Sequence, residues 1–223
     1  MITAIIPGAG TGQRMDSPTP KIFLELRGKT IIEHVIETFA SIDEINNILL
    51  AAPAGWKARA TEIFAGRFSE KLKIIEGEAT RQDTIFTALQ TLPKETKMIV
   101  VHDAARPLVS KELIKEVIAG AKEHGACIPT LPCEETVKRV RSGHVVETLS
   151  RDEIHIVQTP QAFYFEAIVE AHNHARERKW RVTDDATLVE RSGRPVAAIP
   201  GDIKNIKITR QSDIKFAELF LDT

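Results

Sequence analysis

A glycine-rich segment after an apolar run is the first feature of the chain with evident chemistry. Residues 7–15 read Pro-Gly-Ala-Gly-Thr-Gly-Gln-Arg-Met and directly follow the apolar run Ile2–Ile6. Alternate glycines let a backbone approach phosphate groups closely and point its N–H groups at them. A flexible turn is the simpler interpretation, but the nearby cations Arg14 and Lys21 favour a phosphate-binding loop.

This loop fits neither of two common phosphate-binding motifs. The dinucleotide fingerprint Gly-x-Gly-x-x-Gly lacks its third glycine whether the count starts at Gly8 or at Gly10. Gly28–Thr30 resembles the end of a P-loop, but the earlier glycine that this motif needs is Phe23. We interpret Gly28–Thr30 as a turn and the start of a helix.

A second candidate site follows the apolar run Met98–Val101, where the chain reads His-Asp-Ala-Ala-Arg-Pro from residue 102. Asp103, at the end of a buried strand, is well placed to hold Mg²⁺ over phosphates, and Arg106 is well placed to bind an anion. A structural ion pair between the two is an equally good interpretation. Lys207, late in another predicted strand, gains weight only from the other two features, because a lone lysine there is usually solvated.

Other candidates are weaker. Cys127 and Cys133 have no paired histidine nearby, so we expect no zinc site. His172 and His174 do not share one face of their predicted helix. Asp184-Asp185 has the chemistry of a metal ligand pair, but a helix N-terminus also favours acids, and we prefer that interpretation.

The apolar pattern indicates the fold that must position these side chains. Continuously apolar runs of strand length alternate with longer amphipathic stretches, as is typical of strands covered on both faces. This alternation predicts an α/β fold, a Rossmann-like and mostly parallel sheet with helices on both faces, where ligands bind beyond the carboxyl ends of strands. The predicted strands are Ile2–Ile6, Ile45–Ala52, Leu72–Ile75, Met98–Val101, Ala126–Leu131, Ile154–Val157, Pro195–Ile199 and Ile203–Ile208. The predicted helices are Thr30–Ala40, Ala58–Phe68, Thr84–Leu92, Leu113–Lys122, Phe163–Glu177, Ala186–Arg191 and Ser212–Leu221.

The alternation is interrupted at about residues 133–152. Thr136–Arg141 and His144–Leu149 read as two strands joined by the tight turn Ser142-Gly143. Both strands alternate polar and apolar residues, so one face of the hairpin needs covering. We therefore expect a projecting β-hairpin arm that pairs with the arm of a second copy in a two-fold dimer.

Composition limits the remaining classes. The 223 residues are 43% hydrophobic and 27% charged, which suits one domain spanning 1–223. Thirty Lys plus Arg against 31 Asp plus Glu give a net charge of -1, so no nucleic-acid partner is expected. The chain also has no apolar run long enough for a membrane helix and no signal-peptide pattern at its start, so we expect no membrane partner and a cytoplasmic location.

Together these motifs resemble those of the 2-C-methyl-D-erythritol 4-phosphate cytidylyltransferase family of the non-mevalonate isoprenoid pathway. The glycine-rich loop and Pro20-Lys21 resemble the wider group of sugar-nucleotide nucleotidyltransferases. Four segments narrow the resemblance to the family: His102–Pro107, Gln158–Phe163, Thr183-Asp184 and Asn205–Thr209. The match runs in order from residue 2 to about residue 221.

The resemblance implies an enzyme that joins CTP to methylerythritol phosphate and releases pyrophosphate, with Mg²⁺ or another divalent cation as cofactor and a homodimer formed through the arm. It implies catalytic roles for Arg14, Lys21 and Lys207. It implies CTP binding by Gly8, Ala9, Gly10, Gly12, Arg14, Lys21, Arg81, Thr84 and Lys207. It implies binding of the second substrate by Asp103, Arg106, Thr136, Arg151 and Thr183, with Asp103 also at the metal and with Thr136 and Arg151 serving the partner's site.

This chemistry needs no general base. A phosphate monoester has a second pKa near 6 and is already ionised at neutral pH. Cations that offset the charge built up at the α-phosphorus are what the reaction requires.

The chain departs from the family pattern at a few positions. Gly8 stands for the usual Ala, Ile22 for Gln, Glu78 for Gly and Thr84 for Ser, so base selectivity stays open. Two other functions also stay open: a cytidylyltransferase for another polyol phosphate such as ribitol 5-phosphate, and a nucleotide-binding module without catalysis. The relatives that act on ribitol 5-phosphate tend to have Ser-Val in place of Ala104-Ala105 and lack an arginine at position 151, so the resemblance favours methylerythritol phosphate.

Overall fold

A computed structural model describes residues 1–8 and 18–221. The strands are β1 Ile2–Pro7, β2 Glu25–Leu26, β3 Lys29–Thr30, β4 Ile45–Ala52, β5 Leu72–Glu76, β6 Met98–Val101, β7 Ala126–Pro132, β8 Lys138–Arg141, β9 His144–Thr148, β10 His155–Val157, β11 Gln161–Tyr164 and β12 Ala197–Pro200. The helices are α1 Ile31–Ala40, α2 Lys57–Ile63, α3 Arg81–Gln90, α4 Lys111–His124, α5 Phe165–Glu177, α6 Asp185–Arg191 and α7 Gln211–Leu221. Short 3₁₀ turns lie at Lys21–Phe23 and Arg151–Glu153.

An eight-stranded sheet in the order β10-β7-β11-β6-β1-β4-β5, with β12 also paired to β7, forms the centre of the molecule. β1, β4, β5 and β6 are parallel to one another along the sheet, and β12 is parallel to β7. β11 runs antiparallel between β6 and β7, and β10 is antiparallel to β7. The predicted α/β fold with a mostly parallel sheet is confirmed.

Alternate residues of the central strands build two separate cores, because successive side chains of a strand point to opposite faces. Ile6 and Val100 pack on the side of α1 and α4. Ile5 and Val101 pack on the side of α3, α5 and α6. The sheet is therefore covered by helices on both faces, as its continuously apolar strands predict.

The start of α1 confirms the interpretation of Gly28–Thr30 as a turn and helix start. Arg27 and Gly28 have positive φ angles of 51° and 76°, which turn the chain between β2 and β3. The Thr30 backbone N–H and hydroxyl both donate to Glu33 Oε2 at 2.8 Å. This capping box satisfies backbone groups that the first turn of the helix leaves without partners.

The predicted strand Ile203–Ile208 is wrong. This segment lies outside the sheet, and its isoleucines Ile206 and Ile208 pack in the small cluster around Leu26 and Ala217. Ile208 N donates a hydrogen bond to Ala105 O at 2.8 Å. Burial against helices, rather than pairing in a sheet, accounts for the alternating apolar residues.

Four predicted helices have boundaries that are wrong by two residues or more. The helix predicted over Thr84–Leu92 spans Arg81–Gln90, and the one predicted over Leu113–Lys122 spans Lys111–His124. The helix predicted over Phe163–Glu177 begins only at Phe165, because Gln161–Tyr164 forms strand β11. The helix predicted over Ala58–Phe68 ends at Ile63, and positive φ angles at Gly66 (70°) and Phe68 (56°) take the chain out of helical geometry.

The predicted hairpin is present as β8 and β9, which form a two-stranded sheet of their own. Ser142 and Gly143 make the turn between them with φ angles of 47° and 79°. Every residue of both strands is exposed. In the part of the chain that is described, no helix has the length and apolar character needed to cross a membrane.

Candidate active site

The carboxyl end of β6 and the irregular segment 202–209 meet at one edge of the sheet. Ile208 N donates to Ala105 O at 2.8 Å, which fixes the segment beside the loop that follows β6. Arg106 Nη1 donates to Asn205 O at 2.7 Å from the other direction. These two bonds bring Asp103, Arg106 and Lys207 to one place.

Asp103 is the centre of this cluster. It is 8% exposed, and its two carboxylate oxygens bind different cations: Lys207 Nζ at 2.6 Å and Arg81 Nε at 3.1 Å. Burial alone raises the pKa of Asp103, but the charges of Arg81 and Lys207 outweigh burial and lower it. The carboxylate is therefore ionised, and among the described residues its ion pairs are with Arg81 and Lys207 rather than with Arg106.

His102 stabilises the loop that carries Asp103 through hydrogen bonds at both of its ring nitrogens. Burial lowers the pKa of His102 to about 4, so the ring is neutral. Its Nε2 lies 3.1 Å from Arg106 O, which only accepts, so Nε2 carries the proton. Nδ1 then accepts from the Thr159 hydroxyl at 3.2 Å, and Thr159 Oγ1 accepts from Asp103 N at 3.0 Å. Each donor in this series of hydrogen bonds has an acceptor, so His102 holds the loop in place.

Arg81 joins the cluster to two buried residues that the sequence analysis did not assign to the site. Arg81 Nη1 lies 2.8 Å from Asp185 Oδ2, and His172 Nε2 lies 2.9 Å from Asp185 Oδ1. Asp184 caps α6 by accepting from Thr187 N at 3.3 Å, which confirms the helix-start interpretation for that acid. Asp185 instead is buried in the core. Its partner Arg81 lies about a hundred positions earlier in the chain, so only the fold reveals the contact between them.

Lys21 and Thr84 lie on the margins of the cluster. Lys21 Nζ donates to Ile208 O at 3.2 Å, next to Lys207. Thr84 is buried, and its hydroxyl oxygen accepts from Glu78 N at 2.9 Å and lies 2.8 Å from Thr80 O. Thr84 therefore ties the loop before α3 to the first turn of that helix.

Gly8 directly follows β1, at a position where a side chain does not fit without a shift of its neighbours. Its N–H donates to Ala51 O at 2.8 Å. A Cβ on Gly8 would lie 2.8 Å from Ile22 Cδ1 and 3.0 Å from Ala51 O. The Ile22 side chain occupies the space that a side chain at position 8 would need, so glycine at position 8 is the residue that fits beside it. The predicted loop residues Ala9, Gly10, Gly12 and Arg14 lie outside the described residues.

The remaining predicted substrate residues are exposed. Thr183 precedes the Asp184-Asp185 pair at the start of α6, so it lies near Arg81. Thr136 and Arg151 lie at the base of the hairpin, and Arg151 Nη1 donates to Glu134 O at 2.7 Å. Within the described chain, the contacts of Arg151 therefore lie in the arm and not at Asp103.

The described part of the site supplies few carboxylates that could bind a metal ion. Residues 1–8 and 18–221 contain no group of three or more His, Cys, Asp or Glu side chains arranged to hold a metal ion. Asp103 offers one ionised carboxylate, and Mg²⁺ is commonly held by one or two carboxylates together with substrate phosphates and water. The donor set therefore suits a metal that arrives with a polyphosphate.

Comparison with known proteins gives one family over the whole chain. The family described as 2-C-methyl-D-erythritol 4-phosphate cytidylyltransferase matches residues 2–223. A relative of that name from Desulforamulus reducens is 37% identical and covers 99% of this chain and 95% of its own. One from Bacillus thuringiensis is 38% identical and covers 99% and 98%.

Solved structures agree with this match. A 4-diphosphocytidyl-2C-methyl-D-erythritol synthase from Anaerococcus prevotii superposes with a TM-score of 0.88 at 30% identity, covering 100% of this chain and 98% of the other. A 2-C-methyl-D-erythritol 4-phosphate cytidylyltransferase from Francisella tularensis superposes with a TM-score of 0.85 at 29% identity, covering 98% of each chain.

Proposed function

Because the chain belongs to the 2-C-methyl-D-erythritol 4-phosphate cytidylyltransferase family and is therefore a nucleotidyltransferase, we propose that it transfers CMP from CTP to 2-C-methyl-D-erythritol 4-phosphate. The products are 4-diphosphocytidyl-2-C-methyl-D-erythritol and pyrophosphate. The observation that carries the proposal is the convergence of Lys207, Arg81 and Arg106 around Asp103, with Lys21 bound next to Lys207. These four cationic side chains at one edge of the sheet can offset the charges of two anionic substrates.

In the proposed reaction an oxygen of the substrate phosphate attacks the α-phosphorus of CTP. The bond from the α-phosphorus to the bridging oxygen breaks, and pyrophosphate leaves with the electron pair. The attacking oxygen needs no base because it is already ionised. Lys207 and Lys21, together with Arg14 of the glycine-rich segment, offset the charge that builds up on the phosphoryl oxygens.

Asp103 is the residue proposed to hold the divalent cation. Its lowered pKa keeps the carboxylate ionised, and the phosphates of CTP would complete the ligand set. A bound Mg²⁺ neutralises charge on phosphate oxygens. Lys207 Nζ lies 2.6 Å from Asp103 Oδ2, so the same carboxylate would position both the catalytic lysine and the metal.

A pyrophosphate-release assay tests the substrate choice. With Mg²⁺ and CTP, we expect release only when methylerythritol phosphate is added. Lys207→Ala is the negative control. Faster turnover with ribitol 5-phosphate would overturn the choice of alcohol, and equal turnover with UTP would overturn the choice of base, on which Glu78 and Thr84 bear.

We also propose that two copies pair through their arms. The hairpin and the strand that follows it expose Val140 (56%), Val145 (61%), Val146 (53%) and Ile156 (57%). An apolar surface of this kind on a projecting hairpin favours a second copy as its cover. Thr136 and Arg151, at the base of the arm, would then serve the active site of the partner.

Mixing two inactive variants tests the pairing and the shared site together. In a mixed dimer of Lys207→Ala and Arg151→Glu, one site carries both defects and the other carries neither. With random exchange, half of the dimers are mixed, so about a quarter of wild-type activity should return. No recovery under conditions that demonstrably exchange subunits would mean that Arg151 serves its own subunit.

A further inference from the structure

A line of three polar side chains leads away from the proposed site into the helical layer, from the partly exposed Arg81 to the buried Asp185 and His172. Arg81 opens α3, His172 lies within α5 and Asp185 opens α6, so three helices on one face of the sheet each supply one member. His172 and Asp185 are each 1% exposed. A contact between a buried carboxylate and an arginine, as between Asp185 and Arg81, often contributes little to stability compared with apolar packing, so its presence calls for another role.

The direction of each hydrogen bond can be assigned. Burial opposes ionisation of Asp185, but Arg81 and the hydrogen bond from His172 outweigh burial and lower the pKa of Asp185. The carboxylate therefore accepts, and His172 Nε2 donates to Asp185 Oδ1 at 2.9 Å. Asp185 Oδ2 faces Arg81 Nη1 at 2.8 Å.

Arg81 is thus held on two sides. Its Nε donates to Asp103 and its Nη1 faces Asp185, so two carboxylates engage different nitrogens of one planar group. Two such contacts fix the plane of a guanidinium, whereas one leaves it able to swing. Arg81 Nη2 and Asp185 Oδ2 are both buried without a hydrogen-bond partner in the described chain, so the 2.8 Å contact of Nη1 with Asp185 Oδ2 is an ion pair and not an aligned hydrogen bond.

We propose that Asp185 and His172 are positioning residues of the active site: His172 orients Asp185, Asp185 fixes Arg81, and Arg81 fixes the carboxylate of Asp103. This inference deepens the proposed function and rests on it, because Asp103 matters as the group that shares Lys207 and the metal. Asp185 and His172 act through Arg81 and do not touch the substrate.

The first test removes the charge of Asp185 without changing its shape. Asp185→Asn should lower kcat about 10- to 100-fold, the cost of a small misplacement in an active site. The matched control is Asp83→Asn. Asp83 lies on the same helix as Arg81, but it is half-exposed and pairs with Arg181 at the surface, so this variant should keep wild-type kinetics.

A double-mutant cycle shows whether Asp185 acts through Arg81. Arg81→Lys removes the planar fork, so Asp185→Asn in that background should cause little further loss of kcat. Multiplying losses would mean that Asp185 acts by another route and would overturn the proposal.

A spectroscopic readout separates positioning from general stability and does not depend on turnover. The Arg81 Nε–H should give a slowly exchanging signal in ¹⁵N NMR spectra, identified by its absence in Arg81→Lys. The signal should persist in Asp83→Asn and disappear in Asp185→Asn. Its persistence in a folded Asp185→Asn protein would overturn the proposal. Inactive wild-type protein would instead contradict the proposed function, while the NMR result would still decide the positioning.

His172 supplies a second pair of variants in case Asp185→Asn does not fold. His172→Gln keeps a donor for Asp185, whereas His172→Leu removes it. We expect the glutamine variant to retain the Arg81 signal and most of kcat, and the leucine variant to weaken both. Equal behaviour of the two variants would show that the hydrogen bond to Asp185 has no part in positioning Arg81.

Discussion

The edge of the sheet that carries the candidate site and the projecting arm treat charged side chains in opposite ways. At the edge, Asp103 and Arg106 are 8% and 9% exposed and are bound by fixed partners from distant parts of the chain. On the arm, Arg139 pairs with Glu147, but both side chains are about half exposed, at 51% and 47%. The edge also buries its apolar residues, whereas the arm exposes valines.

This difference indicates which parts of the function are complete in one chain. The edge is organised by contacts within the chain, so its geometry should not depend on a partner. The arm has little to hold its apolar face in water, so its role depends on what covers it. Changes at the edge should therefore have large effects on activity or stability, and changes on the isolated arm should have small ones.

The largest effect is expected at Lys207. Lys207→Ala should lower kcat by roughly 10²- to 10³-fold, by analogy with the removal of one donor to a developing oxyanion. The fold should survive, because the Lys207 side chain is 41% exposed and Asp103 keeps Arg81 as a partner. Steady-state pyrophosphate release measures the effect, with Lys215→Ala on α7 as the surface-lysine control. Near-normal kcat in Lys207→Ala would contradict the proposed mechanism.

The next effect is a pH dependence that the edge imposes on stability. Burial lowers the pKa of His102 to about 4, while in the unfolded chain it lies near 6.5. Between these values the unfolded state binds the extra proton, so the free energy of unfolding should fall by about 3 kcal/mol as pH drops from 6.5 to 4. Urea unfolding across this range should show that fall in the wild type and less of it in His102→Gln. Parallel profiles would mean that His102 is not buried as a neutral ring.

The contrast between the two regions also explains what the sequence could predict. The apolar runs of β1, β4 and β6 identify a sheet covered on both faces, because burial on both faces requires consecutive apolar residues, which the local sequence shows. β11 is missed by the sequence: the predicted helix takes in its last two residues, Phe163 and Tyr164, because a strand of four residues is too short to show a period of its own. The wrong strand at Ile203–Ile208 had the right apolar alternation, but long-range bonds to Ala105 and Arg106 decide its path.

The candidate site was predictable only in part for the same reason. Asp103 and Arg106 follow a buried strand directly, so position in the sequence is enough to suggest them. The Arg81–Asp185 contact joins the starts of two helices, and a charged residue at a helix start has a sufficient local explanation. Charge pairs between distant elements leave no local pattern, so the structure was needed to find them.

A smaller effect is expected where the two regions use glycine differently. Gly8→Ala should destabilise the protein by about 1–3 kcal/mol through overpacking, because its Cβ would lie 2.8 Å from Ile22 Cδ1. Ile22→Val removes that atom, so Gly8→Ala should cost less in the Ile22→Val background. Gly143→Ala on the arm is the control. A Cβ on Gly143 would meet nothing within 4 Å, so the cost of this change comes from the positive φ of 79° and should not depend on residue 22. Urea midpoints decide, and an unchanged cost of Gly8→Ala in both backgrounds would contradict the packing argument.

The smallest effect is expected for the surface ion pair of the arm. Arg139 and Glu147 lie opposite each other on β8 and β9, and a double-mutant cycle with Arg139→Ala and Glu147→Ala should give a coupling below about 1 kcal/mol that salt weakens further. The measurement is urea unfolding at low protein concentration, where an arm-mediated dimer would be dissociated. Repeating the cycle at high concentration then tests the comparison itself, because a second copy that covers the arm would exclude water from the pair and raise its coupling. A large coupling at low concentration would show that the arm is organised within one chain, as the site edge is, and the contrast between the two regions would fail.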